Sequence, residues 1–436
     1  MRVSDVTGTM MGDTIFAVSS GRPPAGIAVI RLSGPQARDA ATALAGRLPE
    51  PRHASLRGLR DGAGALLDRA LVILFPGPAT ATGEDVVEFH CHGGRAVTRA
   101  VERALAAQLG CRLAEPGEFT RRALLNGRID LAEAEGLADL LEAETEGQRV
   151  AALAAAEGRI SRQVADWLAQ VAALSARIEA ELDHADEDDV AADDSHVAAV
   201  RDEAIMLGHA IAAVASAPPV ERLHDGIRVV IGGPPNAGKS TLLNLLTERD
   251  AAIVSPIAGT TRDKIEAGVR RHGIAYNMVD TAGLTDTDDV VEAIGVERAT
   301  AAINAADVLV WLADEPPPRD DGLWVHARGD AVGREAIPAG RVAMVRQDRP
   351  ETVEALWWLI EDRAKALLPQ VDALPLRERH RSWCKAAATA LETMPVDPLL
   401  IGEHLREARR SLAAVIGVDA TEIMLDALFS RFCLGK

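Results

Sequence analysis

The chain has 436 residues, of which 48% are hydrophobic and 26% charged, and its formal charge is -18. That length exceeds one ordinary core and suggests about three domains, while the acidic balance excludes a surface that wraps nucleic acid throughout and leaves room only for a local basic face. No apolar run approaches the roughly 18 residues of a membrane helix, "MRVSDVTGTMMGDTIF" lacks the order of a secretion signal, and Cys91, Cys111, Cys384 and Cys433 have neither zinc spacing nor disulfide density; a cytoplasmic protein with reduced thiols and no membrane contact is expected.

In chain order, "DTIFAVSS", "GIAVIRLSG", "ALVILFP" and "EDVVEFH" have strand length and β-branched or aromatic content between Gly and Pro boundaries, and "RAVTRAVERALAAQLG" follows as a helix. From Phe119 to about 182 apolar residues recur at three and four spacing, as in "VADWLAQVAALSARIEAEL", which predicts a helical region. The acidic run "DHADEDDVAADD" reads as a solvated loop, and a further helix is predicted over about 195–216. "IRVVIGG" then opens an α/β segment to roughly 370, and 376–430 is helical again. An α/β module thus interrupts a helical one, and the two helical stretches are expected to pack together to bury their apolar stripes.

The strongest motif is "GPPNAGKST" at 233–241, a G-x-x-x-x-G-K-[ST] between a predicted strand and a predicted helix. Its glycines let backbone N–H groups close around phosphates, Lys239 reaches the β and γ oxygens, and the Ser240 hydroxyl suits magnesium. "IAGTTRD" supplies Thr260 and Thr261, either suited to magnesium and the γ-phosphate, and "VDTAG" supplies Asp280 and Gly283 in a D-x-x-G turn. Position 284 is leucine where Ras has its glutamine, so another group must orient water; Glu292 is a candidate. Asn236 replaces a Ras glycine and offers an oxygen to a monovalent cation. Base recognition is reduced: in place of N-K-x-D the chain has "ARGD", keeping Asp330 but placing Ala327 and Arg328 in the other slots, so looser guanine discrimination is expected. "PPPRDDG" is too short for the helix expected there, and "RVAMV" stands where an S-A element normally follows. His90 and His92 have the spacing of a metal pair without a third ligand, which favours a structural role.

These motifs, with "GDTIFAVSSGRPPAGIAVIRLSG", "TGEDVVEFHCHGG", "EPGEFTRRALLNGRIDLAEAE" and "FCLGK", closely resemble those of the MnmE (TrmE) family of tRNA modification GTPases over nearly the whole chain. The resemblance implies an N-terminal α+β domain (1–120) that binds tetrahydrofolate and pairs two subunits. It implies an all-helical domain in two parts (121–225 and 371–436) and an inserted Ras-like P-loop G domain (226–370) with a parallel-rich sheet. The implied activity is potassium-activated hydrolysis of GTP, an acid anhydride. With the flavoprotein MnmG, in a heterotetramer or larger complex around an MnmE homodimer, the family is expected to install an aminomethyl or carboxymethylaminomethyl group on the wobble uridine (U34) of certain tRNAs. The one-carbon unit would come from 5-formyl- or 5,10-methylene-tetrahydrofolate.

Carried over by motif, GTP is expected along Asn236, Ala237, Gly238, Lys239, Ser240 and Thr241, along Ser255, Pro256, Ile257, Ala258, Gly259, Thr260 and Thr261, along Asp280, Thr281, Ala282 and Gly283, and at Asp330. Asn236, Ser255, Ile257 and Thr260 would surround K+, Ser240 and Thr261 would hold Mg2+, and Glu292 would act on water. Arg31, Glu88, Arg128 and Lys436 fall at the family's folate site, with arginine at 128 where lysine is usual. The tail "RFCLGK" has the outline of a prenylation box, but Leu434, Gly435 and Lys436 do not suit one. It resembles the family's C-terminal motif, which folds back to the folate, and Cys433 is expected there as nucleophile or bystander. Two other readings stay open: a ribosome-assembly GTPase, which has no reason to carry folate residues, and a nucleotide-binding scaffold with little turnover.

Overall fold

The opening strand is buried almost throughout, and parts of the next ones alternate buried and open positions. β1 (Thr14–Val18), β2 (Ala25–Ser33), β3 (Ser55–Arg60), β4 (Leu66–Phe75), β5 (Val86–Gly93) and β6 (Cys111–Leu113), with α1 (Ala37–Ala45) between β2 and β3 and α2 (Arg95–Ala106) after β5, form a sheet of order β3-β4-β5-β2-β1-β6. All its pairs are antiparallel except β1 with β6. Ile30, Leu32, Val72, Val87 and Phe89 point to one face and bury against Leu44 of α1 and Val101 and Leu105 of α2, as the two-residue period of a strand requires. The structure is a computed structural model that describes residues 12–185, 194–247, 266–281, 292–370, 372–418, 421–430, 432 and 435.

α3 (Glu118–Leu125) leads into the helices α4 (Leu131–Glu142), α5 (Glu146–Ala156), α6 (Arg159–Ala185) and α7 (Asp194–Ala215), and the short α8 (Glu221–Asp225) precedes a second sheet. That sheet has β7 (Ile227–Gly232), β8 (Glu266–Arg271), β9 (Ile274–Asp280), β10 (Val308–Trp311), β11 (Leu323–His326) and β12 (Ala343–Met344), in the order β12-β11-β10-β7-β9-β8. Only β8 runs antiparallel to its neighbour. α9 (Lys239–Thr247), α10 (Glu292–Asn304) and α11 (Pro350–Leu367) cover it. Val229, Ile231, Met278 and Val310 pack with Leu242 and Trp357 on one face; Val230, Val279 and Leu309 pack with Ala302 and Ala306 on the other. Burial on both faces explains the apolar run of Val229, Val230 and Ile231 within β7. Between β10 and β11 there is no helix among the described residues. Arg319 there donates to the Ile303 and Ala306 carbonyls at 3.1 and 2.7 Å, closing the carbonyl end of α10.

α12 (Glu378–Glu392), α13 (Pro398–Val415) and α14 (Glu422–Phe429) end the chain. The fold divides into two compact units: one of Met1–Ala138, Ala156–Ala165 and Ala413–Lys436, the other of Asp139–Ala155 and Asp166–Leu412. Within the first, Arg121 of α3 pairs with Asp426 at 3.0 Å and with Glu422 of α14, over a core of Leu131, Ala134, Leu428 and Phe429. Within the second, α7 packs on α12 at Gly208, where an added Cβ would stand 3.1 Å from the Ala388 carbonyl oxygen, and Arg381 donates to the Ala215 carbonyl at 3.0 Å. The apolar stripes of the two helical stretches are thus buried against each other in both units. The chain enters and leaves the second sheet side by side: the Val220 N–H donates to the Leu376 carbonyl at 3.0 Å, and buried Asp139 meets both Arg377 and, at 3.5 Å, His224.

Candidate functional site

The loop after β7 turns through positions of positive φ. Asn236 has φ 61 and Gly238 has φ 92, and a side chain at Gly238 would press on the Arg328 stem at 3.4 Å. Lys239 then opens α9, with its ammonium buried and donating to the Gly233 and Pro234 carbonyls at 3.0 and 2.9 Å. Burial pulls its pKa down, and the Asp280 carboxylate partly opposes that. The Ser240 hydroxyl donates to Asp280 Oδ2 at 2.5 Å. Asp280 ends β9 opposite Ile231 of β7, and Thr281 fixes the turn by donating to the Ile231 carbonyl at 3.0 Å. A hydroxyl beside a carboxylate is a hard oxygen pair of the kind magnesium takes, so these two residues fit that ion.

Beside this loop lies a cavity of about 680 Å³, walled by Asn236, Gly238, Lys239, Ser240 and Thr241 on one side and by Ala327, Arg328, Asp330, Ala331, Val345 and Gln347 on the other. Parallel β7, β11 and β12 bring their carboxyl ends to one edge of the sheet, the usual place for a ligand in such folds. Arg328, at φ 58, donates to the Asn236 carbonyl at 3.3 Å, so the "ARGD" turn is tied to the phosphate loop. Ala237 packs into the core beneath. Ala327 is buried and presents only a methyl group. Val345 closes the "RVAMV" stretch noted in the sequence, whereas Gln347 was passed over, because a two-residue strand leaves no periodic signal.

Of the remaining predicted nucleotide and cation residues, Ser255, Pro256, Ile257, Ala258, Gly259, Thr260, Thr261, Ala282 and Gly283 lie outside the described residues, and Glu292 is described only as the first residue of α10. Of the potassium set, Asn236 alone falls among the described residues, at the cavity wall.

In the first unit Arg31 and Glu88 are cross-strand partners within β2 and β5. Arg31 donates to Glu88 Oε1 at 3.0 Å and lies 5.8 Å from the centre of the Phe119 ring. His90 takes the other Glu88 oxygen at 3.1 Å, and His92 pairs with Asp68 at 2.7 Å, so both histidines serve carboxylates within the sheet. Arg128 donates to the Thr80 carbonyl at 3.1 Å, with its stem against Gly83. Near the chain end, Phe432 is buried with Phe429, and Gly435, at φ 89, sits so close to β1 that an added Cβ would lie 2.3 Å from the Val18 carbonyl oxygen. Since Ala17 pairs with Arg31 in register, Gly435 reaches the neighbourhood of the Arg31–Glu88 pair. Cys433 and Lys436 lie outside the described residues. The half-buried charged pair, an aromatic ring and a returning tail fit a polar ligand with an aromatic body, such as a folate.

A family model described as "GTP-binding protein TrmE N-terminus" matches residues 14–128, and one described as "MnmE helical domain" matches 131–433. A "tRNA modification GTPase MnmE" from Erythrobacter litoralis is 51% identical over 97% of this chain and 100% of its own length. The chain belongs to the MnmE family. Members of the same name from Novosphingobium aromaticivorans and Zymomonas mobilis are 49% and 46% identical, covering 98% and 97% of this chain and 100% of each relative. The mixed architecture of a TrmE N-terminal domain, helices and an α/β nucleotide fold is that of the MnmE family, and none of the described helices is long and apolar enough to cross a membrane.

Proposed function

We propose that this protein hydrolyses GTP as a tRNA modification GTPase of the MnmE type. The observation that carries the reading is the contact between Ser240 of the phosphate loop and Asp280 of the D-x-x-G turn at 2.5 Å, beside the buried ammonium of Lys239. That constellation is suited to triphosphate and magnesium and has little use otherwise. With magnesium bound, the ion would neutralise phosphate charge as it develops; Ser240 and Asp280 orient toward it, Lys239 holds the β and γ oxygens, and Asp330 accepts from guanine.

In this reading Asn236, Ser255, Ile257 and Thr260 would hold K+, whose charge would stand in for an arginine finger; Thr261 joins Ser240 on Mg2+, and Glu292 positions the attacking water. Arg31, Glu88, Arg128 and Lys436 hold tetrahydrofolate, with Cys433 close by. Residues 1–120 form the folate and dimerisation domain, 226–370 the G domain, and 121–225 with 371–436 the helical domain. The protein works in the cytoplasm as a homodimer with the flavoprotein MnmG on the wobble uridine of tRNA. The full-length coverage of the relatives supports this assignment over a ribosome-assembly GTPase.

The test is nucleoside analysis of tRNA incubated with this protein, the flavoprotein, methylene-tetrahydrofolate, GTP, and ammonium or glycine as the amine those two products require. A wobble uridine modified only when GTP is present is the expected result. Unmodified tRNA together with no phosphate release would refute the reading.

A further inference from the structure

The base side of the cavity is short of one partner. Guanine offers two donors, N1–H and the 2-amino group, and two acceptors, O6 and N7. Asp330, being a carboxylate, answers only the donors. In an N-K-x-D turn the asparagine supplies further polar contact, but here that slot is Ala327, a buried methyl group. The acceptor edge of the base therefore has to be met from another residue on the cavity wall.

The wall beside Ala327 is built by the chain leaving β12, and its backbone is held in place. The Val345 N–H donates to the His326 carbonyl at 2.9 Å, the Gly329 N–H donates to the Val345 carbonyl at 3.1 Å, and the Arg346 N–H donates to Thr352 Oγ1 at 3.0 Å. These bonds fix the segment against the "ARGD" turn. The polar side chains around it are already engaged: Arg346 pairs with Asp348 at 2.8 Å, Arg334 donates to the Ala327 carbonyl at 3.3 Å, and Arg341 donates to the Asp314 carbonyl at 3.1 Å. Gln347 differs. It lines the cavity, its side chain is exposed, and it makes no hydrogen bond among the described residues.

We propose that the Gln347 side-chain amide is a base-contacting group of this site, donating to O6 or N7 of guanine from a wall held rigidly beside Asp330. This rests on the nucleotide reading above and adds the residue that completes base recognition in this chain. The division of labour follows from hydrogen-bond chemistry. Asp330 rejects adenine, whose N1 is an acceptor facing a carboxylate. Gln347 supplies affinity with little selectivity, because its amide can turn and present Oε1 to adenine's 6-amino group as readily as Nε2 to a 6-oxo group.

The experiment is calorimetric titration of the full chain with GDP, IDP and ADP in magnesium, using wild type, Gln347→Ala and Gln347→Glu. Gln347→Ala is expected to weaken GDP and IDP alike, by about threefold to tenfold, the effect of one lost hydrogen bond. Gln347→Glu, which can only accept, is expected to weaken GDP at least as much while leaving ADP at or above its wild-type affinity. A merely structural role would weaken both bases alike. Wild type that binds GDP with both variants within twofold of it would overturn the role of Gln347 and leave the nucleotide reading standing. Wild type that binds no GDP would overturn both.

Discussion

The Ser240 hydroxyl and Asp280 Oδ2 lie 2.5 Å apart, joining the start of α9 to the end of β9. Ser240 is supplied by the phosphate loop and Asp280 by a D-x-x-G turn that means little alone, and the sheet brings them together because β7 and β9 are adjacent parallel strands. Replacing Ser240 with Ala, or Asp280 with Asn, should lower GTP turnover on the order of a hundredfold or more, since it removes an oxygen from the magnesium side of the site. Phosphate release across a magnesium titration reads this directly, and the magnesium requirement should shift to higher concentration in both variants.

Gly435 offers a second test, in the first unit. Its φ of 89 and the 2.3 Å approach of an added Cβ to the Val18 carbonyl oxygen leave no room for a side chain. Gly435→Ala should displace the tail from β1 and weaken 5-formyl-tetrahydrofolate binding by about tenfold, with GTP turnover unchanged. Titration with the folate, and phosphate release from the same preparation, separate the two effects.

The junction around Asp139 is a stability element of the second unit. Its carboxylate is buried and faces Arg377 as well as His224. Removing it strands the cationic partner at a point where both connectors of the α/β part run side by side. Asp139→Ala should cost about 3 kcal/mol, visible as an earlier urea midpoint, whereas exposed Glu146→Ala, whose partner Arg149 is equally solvated, should cost little.

Acid should find a weak point where Asp13 and Glu118 meet Arg112 and Arg122. Arg112 holds Glu118 at 2.6 and 2.9 Å, and Arg122 reaches Asp13 at 2.8 Å and Glu118 at 3.0 Å. Burial alone would raise both carboxyl pKa values, but the hydrogen bonds from Arg112 and Arg122 outweigh it and hold both below the ordinary range. A depressed folded pKa contributes stability that is complete above the unfolded value, near 4, and is lost as pH falls through the folded one. Urea unfolding stepped from about pH 6 to about pH 3 should show stability falling, and Arg112→Met should lower the starting value and flatten that slope.

The sequence was most legible where one segment carried its own evidence. β7 carries the apolar run of Val229, Val230 and Ile231 because it is buried on both faces, and the phosphate loop follows it with fixed spacing. α1, β3 and β6 carried less: "ARDAATALA" and "SLRGLR" mix charge into short elements, and the three residues of β6 exist through pairing with β1. Arg31 and Glu88 read as separate charges until strand register made them partners. Gln347 had no signal, because β12 is only two residues long and is positioned by β11. Motifs written in consecutive residues survive in the sequence; those assembled from register and neighbouring strands do not.

The central claim, a cation-assisted GTPase, is tested most directly by phosphate release from GTP in potassium and in sodium, with Glu292→Ala alongside. The account predicts a rate that rises at least about tenfold in potassium, within the range a charge-stabilising group supplies, and that collapses in the variant. Equal and negligible rates in both salts, with and without Glu292, would contradict it.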